Sequence, residues 1–456
     1  MRVNTFMNAT LTVCCAAAVL CSGATAAEYL PGQVRIDPEN PAWLVYNRDA
    51  NRDGKLDPAF LVGPGDPEGF LFLGERQADG TRAGGRQQQI IERLAKLGGN
   101  AIYFQAVRSH GGDGEDDHNP WRNPRDSGSG LNPSIIRQWQ GWFDALREAG
   151  VVVLFFVYDD GAHPFDDGCQ EAIGEEEAAF IRDLVNAFEE YPNLVWVVQE
   201  EFKFVGHSGK RRPCDAARLK KVGEIASLIE RHDDHDHPVG VHHNIGDAMA
   251  FPDHPAVDVY VQQADVRPAA GHGNLEALHA AGQPGHGFDA QRRYSYIMGE
   301  GYDWHPKLVA AGDRAMLRKT YYATATAGGY MLVLGMFPTE EGAEPTDAML
   351  EDMRRVQQFF ESIPVNTMAP HDELAAGDTD WVLAAPDHGR YVLYSHDGGE
   401  QLGIRGLKPG QYRLRWFDPV DGDDAIVETT VGADGPARFV KPKAIGAEAV
   451  VYVERL

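Results

Sequence analysis

The sequence is poor in cysteine and in positive charge, and beyond its N-terminus it has no long apolar run. Only five of its 456 residues are cysteine, and 42 lysines and arginines stand against 68 aspartates and glutamates, a formal net charge of −26 at pH 7. Such an acidic surface repels the phosphates of nucleic acids and the headgroups of anionic lipids. We therefore expect no nucleic-acid partner, and no membrane attachment once the leader is removed.

The first 27 residues have the three parts of a cleavable export signal. Arg2 supplies a short positive start, Leu11–Leu20 is an apolar run too short to span a bilayer, and Ala24-Thr25-Ala26 has the small-x-small pattern of a cleavage site. We predict cleavage near Ala26 or Ala27 and export of the mature chain to the periplasm or the extracellular space.

Removal of this leader would take three of the five cysteines with it. Cys169 and Cys214 remain, each on a loop that follows a predicted strand. Two cysteines in an oxidising compartment favour one disulfide, so we predict a Cys169–Cys214 bond. The alternative is two unrelated buried thiols.

Short apolar runs alternate with amphipathic segments over residues 58–368. The apolar runs are Ala59–Gly63, Ala101–Val107, Val151–Tyr158, Leu194–Gln199, Val239–His243, Val257–Gln262, Tyr296–Gly299 and Gly329–Leu334. The clearest helical segments are Gln87–Leu97, Ser134–Ala149, Glu175–Tyr191, Ala216–Arg231, Asp313–Thr326 and Asp347–Ser362. Near-continuous apolar strands are typical of parallel sheets covered on both faces. Eight strand–helix units favour a closed (β/α)8 TIM barrel, and no Gly-x-Gly-x-x-Gly follows the first strand as in dinucleotide-binding folds.

The flanking segments have different patterns. Residues 369–456 contain short alternating strands between Gly, Asp and Pro turns, and we predict a small antiparallel β-sandwich there. Its strands are expected at Trp381–Ala385, Arg390–Ser395, Gly410–Asp418, Ala425–Val431 and Ala449–Val453. Residues 28–57 are loop-rich and are expected to pack on the barrel.

Polar side chains follow strand after strand of the predicted barrel. In chain order they are Asp66, Glu68, Arg108, His110, Asp113, Asp159, Asp160, Glu200, Glu201, His242, His243, Asn244, Gln262, Gln263, Asp265 and Glu300. Barrel enzymes carry their catalytic groups at the carboxyl ends of the strands, and charged groups cost free energy to bury without partners. Such a set on one rim therefore predicts an active site.

Two of these carboxylates suit hydrolysis of a glycosidic bond. Glu201 and Glu300 end the fourth and seventh strands and face each other across the barrel mouth. In a retaining mechanism one carboxylic acid protonates the leaving oxygen while the other carboxylate attacks the anomeric carbon. We predict a glycoside hydrolase that acts on an extracellular oligo- or polysaccharide and needs no cofactor for catalysis.

The segments around these carboxylates carry a resemblance to known enzymes. The run 193–201 (NLVWVVQEE) resembles the strand-four segment of the large superfamily of retaining barrel hydrolases, and 296–301 (YIMGEG) resembles the segment that ends in their nucleophile. The runs 63–70 (GPGDPEGF), 108–113 (RSHGGD), 327–329 (AGG) and 412–419 (YRLRWFDP) are similar to a family of secreted bacterial glycosidases. That family joins a barrel to a β-domain named for collagen binding, and the resemblance covers most of residues 40–456.

The resemblance implies roles for particular residues. Glu201 takes the acid/base position, Glu300 the nucleophile position, and Glu200 stands where the superfamily has an asparagine that binds the substrate's 2-hydroxyl. This departure leaves Glu200 as the alternative acid/base. For the rim itself we predict that Asp66, Glu68, Arg108, His110, Asp113, Asp159, Asp160, His243 and Gln262 bind substrate hydroxyls, and that Tyr302 and Trp304 stack on a sugar ring. Either aromatic side chain could instead pack under a loop.

A separate run of acidic residues lies before the barrel. Asp49, Asn51, Asp53 and Asp57 occupy the first, third, fifth and ninth positions of a calcium-binding loop, with Gly54 at the sixth. The twelfth position is Phe60, where a bidentate glutamate should be. A structural Ca²⁺ site and an ordinary Asp/Gly turn are therefore both open.

Two other functions fit parts of the pattern. A metal-dependent hydrolase could use His110, Asp113, Asp159 and His243 as ligands, although the first strand lacks the His-x-His pair that many barrel metallohydrolases carry. A catalytically inactive carbohydrate-binding protein is the second alternative, and the retained carboxylates Glu201 and Glu300 argue against it.

Overall fold

The computed structural model describes residues 29–64, 69–108, 118–166, 169–202, 215–244, 250–281, 292–301, 304–333, 344–396, 398–432 and 435–456. The predicted export signal lies outside these residues. The segment before the barrel forms a small antiparallel sheet of β1 (Val34–Ile36), β2 (Leu44–Tyr46) and β3 (Asp57–Pro58). It contacts the barrel and the segment after it, since the Leu44 N–H donates to the Tyr330 hydroxyl and the Trp43 indole to the Met368 carbonyl.

Eight parallel strands form the barrel that the alternating pattern predicts. They are β4 (Val62–Pro64), β7 (Ala101–Val107), β10 (Val152–Tyr158), β11 (Leu194–Gln199), β12 (Val239–His243), β13 (Val259–Gln263), β14 (Ser295–Glu300) and β15 (Tyr330–Val333). Two hairpins lie outside it, β5 (Glu75–Arg76) with β6 (Arg82–Ala83) and β8 (Trp121–Asn123) with β9 (Asp126–Leu131). The barrel strands pair in the order β4-β15-β14-β13-β12-β11-β10-β7, and residues on both of their faces are buried.

The barrel closes between its first strand, β4, and β7. Asn100 bridges the seam: its N–H donates to the Val62 carbonyl at 2.9 Å, and its side-chain oxygen accepts the Val62 N–H at 3.0 Å. Gly63 lies so close to the neighbouring strand that a Cβ built on it would overlap the Ala101 carbonyl. Only glycine allows the two backbones to approach this closely.

Gly63→Ala should therefore destabilise the fold. The methyl group must push β4 away from β7, and forced overlap in a packed core typically costs about 1–3 kcal/mol. Gly141→Ala is the control, because a Cβ at this exposed helical position meets nothing within 4 Å and alanine is the better helix former. Denaturant titration should show Gly63→Ala below wild type and Gly141→Ala at or above it; equal stability of the two would contradict the account of the seam.

The helices cover the outside of the barrel. They are α1 (Gln87–Leu97), α2 (Pro133–Glu148), α3 (Glu175–Phe188), α4 (Asp215–His232), α5 (Pro268–Ala281), α6 (Trp304–Ala311), α7 (Arg314–Thr326) and α8 (Asp347–Glu361). Short 3-10 turns lie at Phe70–Phe72, Val365–Thr367 and Asp372–Leu374. Within the described ranges, no helix is both long enough and apolar enough to cross a bilayer.

The C-terminal region is built of antiparallel sheets, as predicted. One sheet has the order β16-β18-β19-β24-β21-β22 and the other β17-β20-β23. Their strands are β16 (Ala369–Pro370), β17 (Ala375–Gly377), β18 (Trp381–Ala384), β19 (Arg390–Ser395), β20 (Gln401–Ile404), β21 (Gly410–Phe417), β22 (Asp424–Val431), β23 (Ala437–Val440) and β24 (Ala449–Arg455). Residues of both sheets share one core, in which Leu402 and Phe439 of the smaller sheet lie with Trp416 of the larger.

The larger sheet uses its two faces differently. Strand residues alternate in direction, so Tyr391 and Leu393 of β19 belong to the sandwich core, whereas Val392 and Tyr394 join the core of the barrel. The boundary also holds a column of four rings in the order His272, Trp381, Tyr394, Tyr322, with centroids 4.9, 5.5 and 4.7 Å apart. The outer two rings come from α5 and α7 and the inner two from β18 and β19. The sandwich thus packs directly against the barrel helices.

Some elements differ from the prediction. Helices α5 and α6 and strands β20 and β23 were not predicted, because α5 contains two glycines and the other three are short. Cys214 lies outside the described residues, so its pairing with Cys169 stays a prediction.

Candidate active site

The carboxyl ends of the barrel strands bring buried polar groups together. The polar residues that are at least 90% buried there include Arg108, Asp159, Gln199, Glu200, Glu201, His242, His243 and Gln263. A parallel barrel places all of these strand ends on one rim, where enzymes of this architecture carry their sites. The interiors of the same strands are mostly apolar, with Gln105 of β7 as an exception.

Glu201 is held by side chains from the next two strands. The Asn244 side-chain N–H₂ donates to one carboxylate oxygen at 2.6 Å, and the Gln263 side-chain N–H₂ donates to the other at 2.5 Å. The Glu201 backbone has φ 38°, in the left-handed region that side chains rarely adopt. Strained backbone persists where surrounding contacts fix it, and it clusters at functional sites. Glu201 therefore occupies a fixed position in the barrel mouth.

His242 supports this conformation from below. Its Nδ1 accepts the Glu201 N–H at 2.9 Å, so Nδ1 carries no proton. Burial lowers the pKa of His242 to about 3, because the charged imidazolium would lose its hydration. The ring is thus neutral in the folded protein at ordinary pH, and it can act as the acceptor that Glu201 needs.

Because His242 is buried in its neutral form, the free energy of unfolding should decrease as the pH is lowered. The unfolded chain binds a proton at His242 below a pKa of about 6.5, whereas the folded chain does so only near 3. Stability from this group is complete above about pH 6.5 and is lost as the pH falls toward 3. We expect His242 to account for about 2 kcal/mol of the stability difference between pH 7 and pH 5. Denaturant titrations at the two pH values measure it.

His242→Gln should reduce that pH difference by this amount, since an amide oxygen can accept the Glu201 N–H without titrating. His232→Gln is the control, because His232 is part-exposed at the end of α4 and remote from the rim. An unchanged pH difference in His242→Gln would show that the buried ring is not the group responsible.

Glu200 points to a different partner. Its carboxylate accepts the side-chain N–H₂ of Gln105 at 2.8 Å, and both residues are buried. Gln105 lies in the middle of β7, an otherwise apolar strand. The two adjacent glutamates are therefore held by different strands, Glu200 by β7 and Glu201 by the β12 and β13 ends.

Glu300 ends β14 beside the residue that holds Glu201. In the β13–β14 ladder Gln262 pairs with Met298 and Gln263 with Glu300, so Gly299 is an extra residue that turns the strand end. A Cβ at Gly299 would come within 2.5 Å of Val261 and 3.8 Å of the His242 ring, which leaves no space for a side chain. Gln263 thus neighbours Glu300 along the ladder and donates to Glu201, which links the two predicted catalytic residues.

The structure places other predicted residues on the same rim. The Asp159 carboxylate accepts the Gly161 N–H at 3.2 Å, and His243 accepts the Ala250 N–H on Nε2 at 3.1 Å. Buried Arg108 follows β7, while Asp160 and Gln262 are half-buried at the ends of β10 and β13. Asp66, Glu68, His110, Asp113 and Tyr302 lie outside the described residues, as does the side chain of Trp304, the first residue of α6. Their roles stay predictions.

Gln105, His242, Asn244 and Gln263 had no predicted role in the site. The last three were recognised only as polar residues at strand ends. Gln105 could have been found, because a glutamine within a seven-residue apolar strand must have a buried partner.

The Asp49–Asp57 loop is an exposed turn with many internal hydrogen bonds. Asp49 accepts the N–H groups of Asp53 and Gly54, and Asp57 pairs with Arg48 at 3.1 Å. The left-handed φ of 62° at Arg52 is part of the same turn. Structural calcium at this loop stays a prediction.

The comparisons with known proteins concern the fold. No protein-family model matches the chain, and neither does any curated protein sequence. A solved glycoside hydrolase family 5 protein from Bacteroides vulgatus has a TM-score of 0.66 at 13% identity, over 94% of this chain and 95% of that one. Another solved structure, described as a glycoside hydrolase, has a TM-score of 0.64 at 15% identity, over 94% and 98%. Both likenesses extend over the barrel and the C-terminal sheets, and they show that this chain shares the fold of these proteins.

Proposed function

We propose that this protein is a retaining glycoside hydrolase in which Glu201 is the acid/base and Glu300 the nucleophile. One observation carries the proposal: Gln263 binds the Glu201 carboxylate and is the ladder partner of Glu300. The two glutamates therefore belong to one constellation at the barrel mouth. The solved proteins of similar fold are named as glycoside hydrolases, which supports this chemistry.

The proposed reaction uses two carboxyl groups in different protonation states, one protonated and one ionised. Glu201, as the acid, gives its proton to the glycosidic oxygen while the Glu300 carboxylate attacks the anomeric carbon, so the C–O bond breaks and a glycosyl ester forms. Glu201, now a carboxylate, takes a proton from water as that water attacks the same carbon and releases Glu300. Asn244 and Gln263 keep Glu201 in place through both steps.

The carbohydrate is proposed to be an extracellular oligo- or polysaccharide, in keeping with the predicted export signal. At the same rim, Arg108, Asp159, Asp160, His243 and Gln262 are proposed to bind its hydroxyls. Glu200 replaces a neutral amide in the superfamily pattern, and Gln105 already occupies one of its carboxylate oxygens. We expect the Glu200 carboxylate to accept a hydrogen bond from a sugar hydroxyl as well.

The test begins with a screen of the mature protein on nitrophenyl glycosides and on plant and bacterial polysaccharides. A 2-deoxy-2-fluoro glycoside of the preferred sugar with a good leaving group should then trap the ester. Mass spectrometry is expected to find one added fluoroglycosyl group on the peptide that contains Glu300, and none on Glu300→Gln. An inverted first product, a label on another carboxylate, or activity abolished by chelator and restored by metal would overturn the proposal.

A further inference from the structure

Three metal-ligating side chains meet where α5 faces the C-terminal sandwich. His272 and Glu276 are one helical turn apart and so lie on the same face of α5, while Asp372 begins a 3-10 turn after β16. A ring nitrogen of His272 and one carboxylate oxygen from each acid all lie within 4.8 Å of one another. The cluster lies on the helix that follows β13 and on the turn that opens the C-terminal region, so it joins the two parts of the protein.

The hydrogen bonds of His272 determine which nitrogen faces the acids. Its Nδ1 lies 2.7 Å from the Ala323 carbonyl oxygen, which can only accept, so Nδ1 carries the proton. Its Nε2 lies 2.7 Å from Asp372 Oδ2. Asp372 is oriented in turn by the Val382 N–H, which donates to Oδ1 at 2.8 Å. Both groups are therefore held with Nε2 and Oδ2 facing each other.

This arrangement requires a cation. A neutral imidazole that has its proton on Nδ1 presents a lone pair at Nε2, and a carboxylate oxygen at 2.7 Å presents another. Two lone pairs at this distance repel unless a proton or a metal ion lies between them. Ligating histidines characteristically donate their other N–H to a carbonyl or carboxylate, as His272 does to Ala323.

Glu276 favours the metal over the proton. Its Oε1 lies 3.8 Å from His272 Nε2, too far for a hydrogen bond. A proton held between His272 and Asp372 would therefore not hydrogen-bond to Glu276, whereas a metal ion could bind all three side chains. Ligand atoms on a tetrahedral zinc ion are about 3.3 Å apart. The distances from His272 Nε2 to Asp372 Oδ2 and to Glu276 Oε1, 2.7 and 3.8 Å, lie on either side of that value.

The exposure of the three side chains fits an ion that enters from solvent. The His272 side chain is 3% exposed, while those of Asp372 and Glu276 are 27% and 37% exposed. The nitrogen is thus fixed on the inside and the oxygens lie on the outside, where water could complete the coordination. One imidazole and two carboxylates suit a divalent transition metal, of which zinc is the one that most often takes tetrahedral nitrogen and oxygen ligands.

We propose that His272, Glu276 and Asp372 bind a Zn²⁺ ion that ties α5 to the C-terminal sandwich. The ion would neutralise two neighbouring carboxylates and hold Trp381, which stacks on His272, in its column. A site built from both parts of the chain exists only in the folded protein, so zinc should stabilise the fold through mass action.

The test uses the untagged full chain after dialysis against chelator. Added Zn²⁺ should raise Tm by a few degrees at saturation, and Co²⁺ should give the visible absorption of a tetrahedral site. Glu276→Gln should weaken Zn²⁺ binding by at least about tenfold and remove most of the Tm rise, and so should Asp372→Asn. Glu373→Gln is the matched control, because it removes the same charge from the adjacent, exposed residue, which pairs with His371 instead.

Three outcomes would overturn the proposal. The first is a Tm that does not respond to Zn²⁺ in the wild type. The second is an equal loss of binding in Glu373→Gln and Glu276→Gln, which would indicate general attraction of cations. The third is a wild-type stability that does not respond to metal but changes with pH near neutrality, together with the loss of this pH dependence in Asp372→Asn. That result would show that a proton bridges His272 and Asp372.

Discussion

Glu300→Gln and Glu201→Gln should each lower kcat/KM by about 10³-fold or more on a substrate with a poor leaving group. Glutamine keeps the size of each side chain but can neither attack the anomeric carbon nor exchange the proton. The two losses should differ with the leaving group. Nitrophenolate leaves without protonation. On a nitrophenyl glycoside, the rate of the first step should therefore recover largely in Glu201→Gln and little in Glu300→Gln. Steady-state and burst kinetics on paired substrates would measure this.

Glu200 provides the matched control at the site itself. Glu200→Gln changes an adjacent buried carboxylate that is bound to Gln105 and not to Asn244 or Gln263. We expect a larger effect on KM than on kcat, because this residue is placed to bind a substrate hydroxyl. If the activity of Glu200→Gln depended on the leaving group while Glu201→Gln stayed near normal, Glu200 would be the acid/base and Glu201 the residue that binds the hydroxyl. Exposed Glu175 at the start of α3 serves as a remote control.

Arg318→Met should destabilise the protein by about 3–5 kcal/mol. Arg318 is buried between the barrel and the sandwich, where it pairs with Glu448 at 3.0 Å and with Asp352 at 3.1 Å. Burial alone would lower its pKa, but the two carboxylates outweigh burial and raise it. Methionine fills similar space but removes the positive charge beside Glu448, which is only 5% exposed. Glu448 then keeps the hydrogen bond from the Tyr394 hydroxyl. The loss is the cost of that uncompensated charge.

A second substitution separates this cause from lost packing. Arg318→Met with Glu448→Gln should recover part of the stability, because the unpaired charge is then removed as well. Arg413→Met is the comparison at an exposed pair: Arg413 and Glu428 are 47% and 60% exposed, and their separation should cost less than about 1 kcal/mol. Denaturant titration of the four proteins gives the values. A double variant less stable than Arg318→Met would argue against uncompensated charge.

The barrel could be predicted because its strands carry their own pattern. Strands such as β7 and β11 are covered on both faces, so they are nearly continuous apolar runs, and their predicted bounds match the structure. Helix α5 could not be predicted in the same way, since Gly271 and Gly273 are poor helix formers and its apolar face is weak. Tertiary packing against α7 and the sandwich stabilises it. This information is not in any local window of the sequence.

The site was predictable as a set of strand ends but not as a set of contacts. The order of parallel strands predicts that Glu201 and Glu300 share a rim. It does not say that Asn244 and Gln263 bind Glu201, because those contacts depend on the left-handed turn at Glu201 and on the extra residue, Gly299, in β14. The zinc ligands were not predicted at all, since Asp372 lies 96 residues after Glu276 and is brought to it by the packing of the sandwich.

The column of His272, Trp381, Tyr394 and Tyr322 bears on how this protein can be altered. Its two sandwich rings lie between two barrel rings, so separating the halves would expose aromatic faces on both. Appended domains that are joined by a tether can be deleted or exchanged without harm to their enzyme. Here the C-terminal part instead packs directly against the barrel. The two parts should therefore unfold in one calorimetric transition, and their sequences should diverge together in evolution.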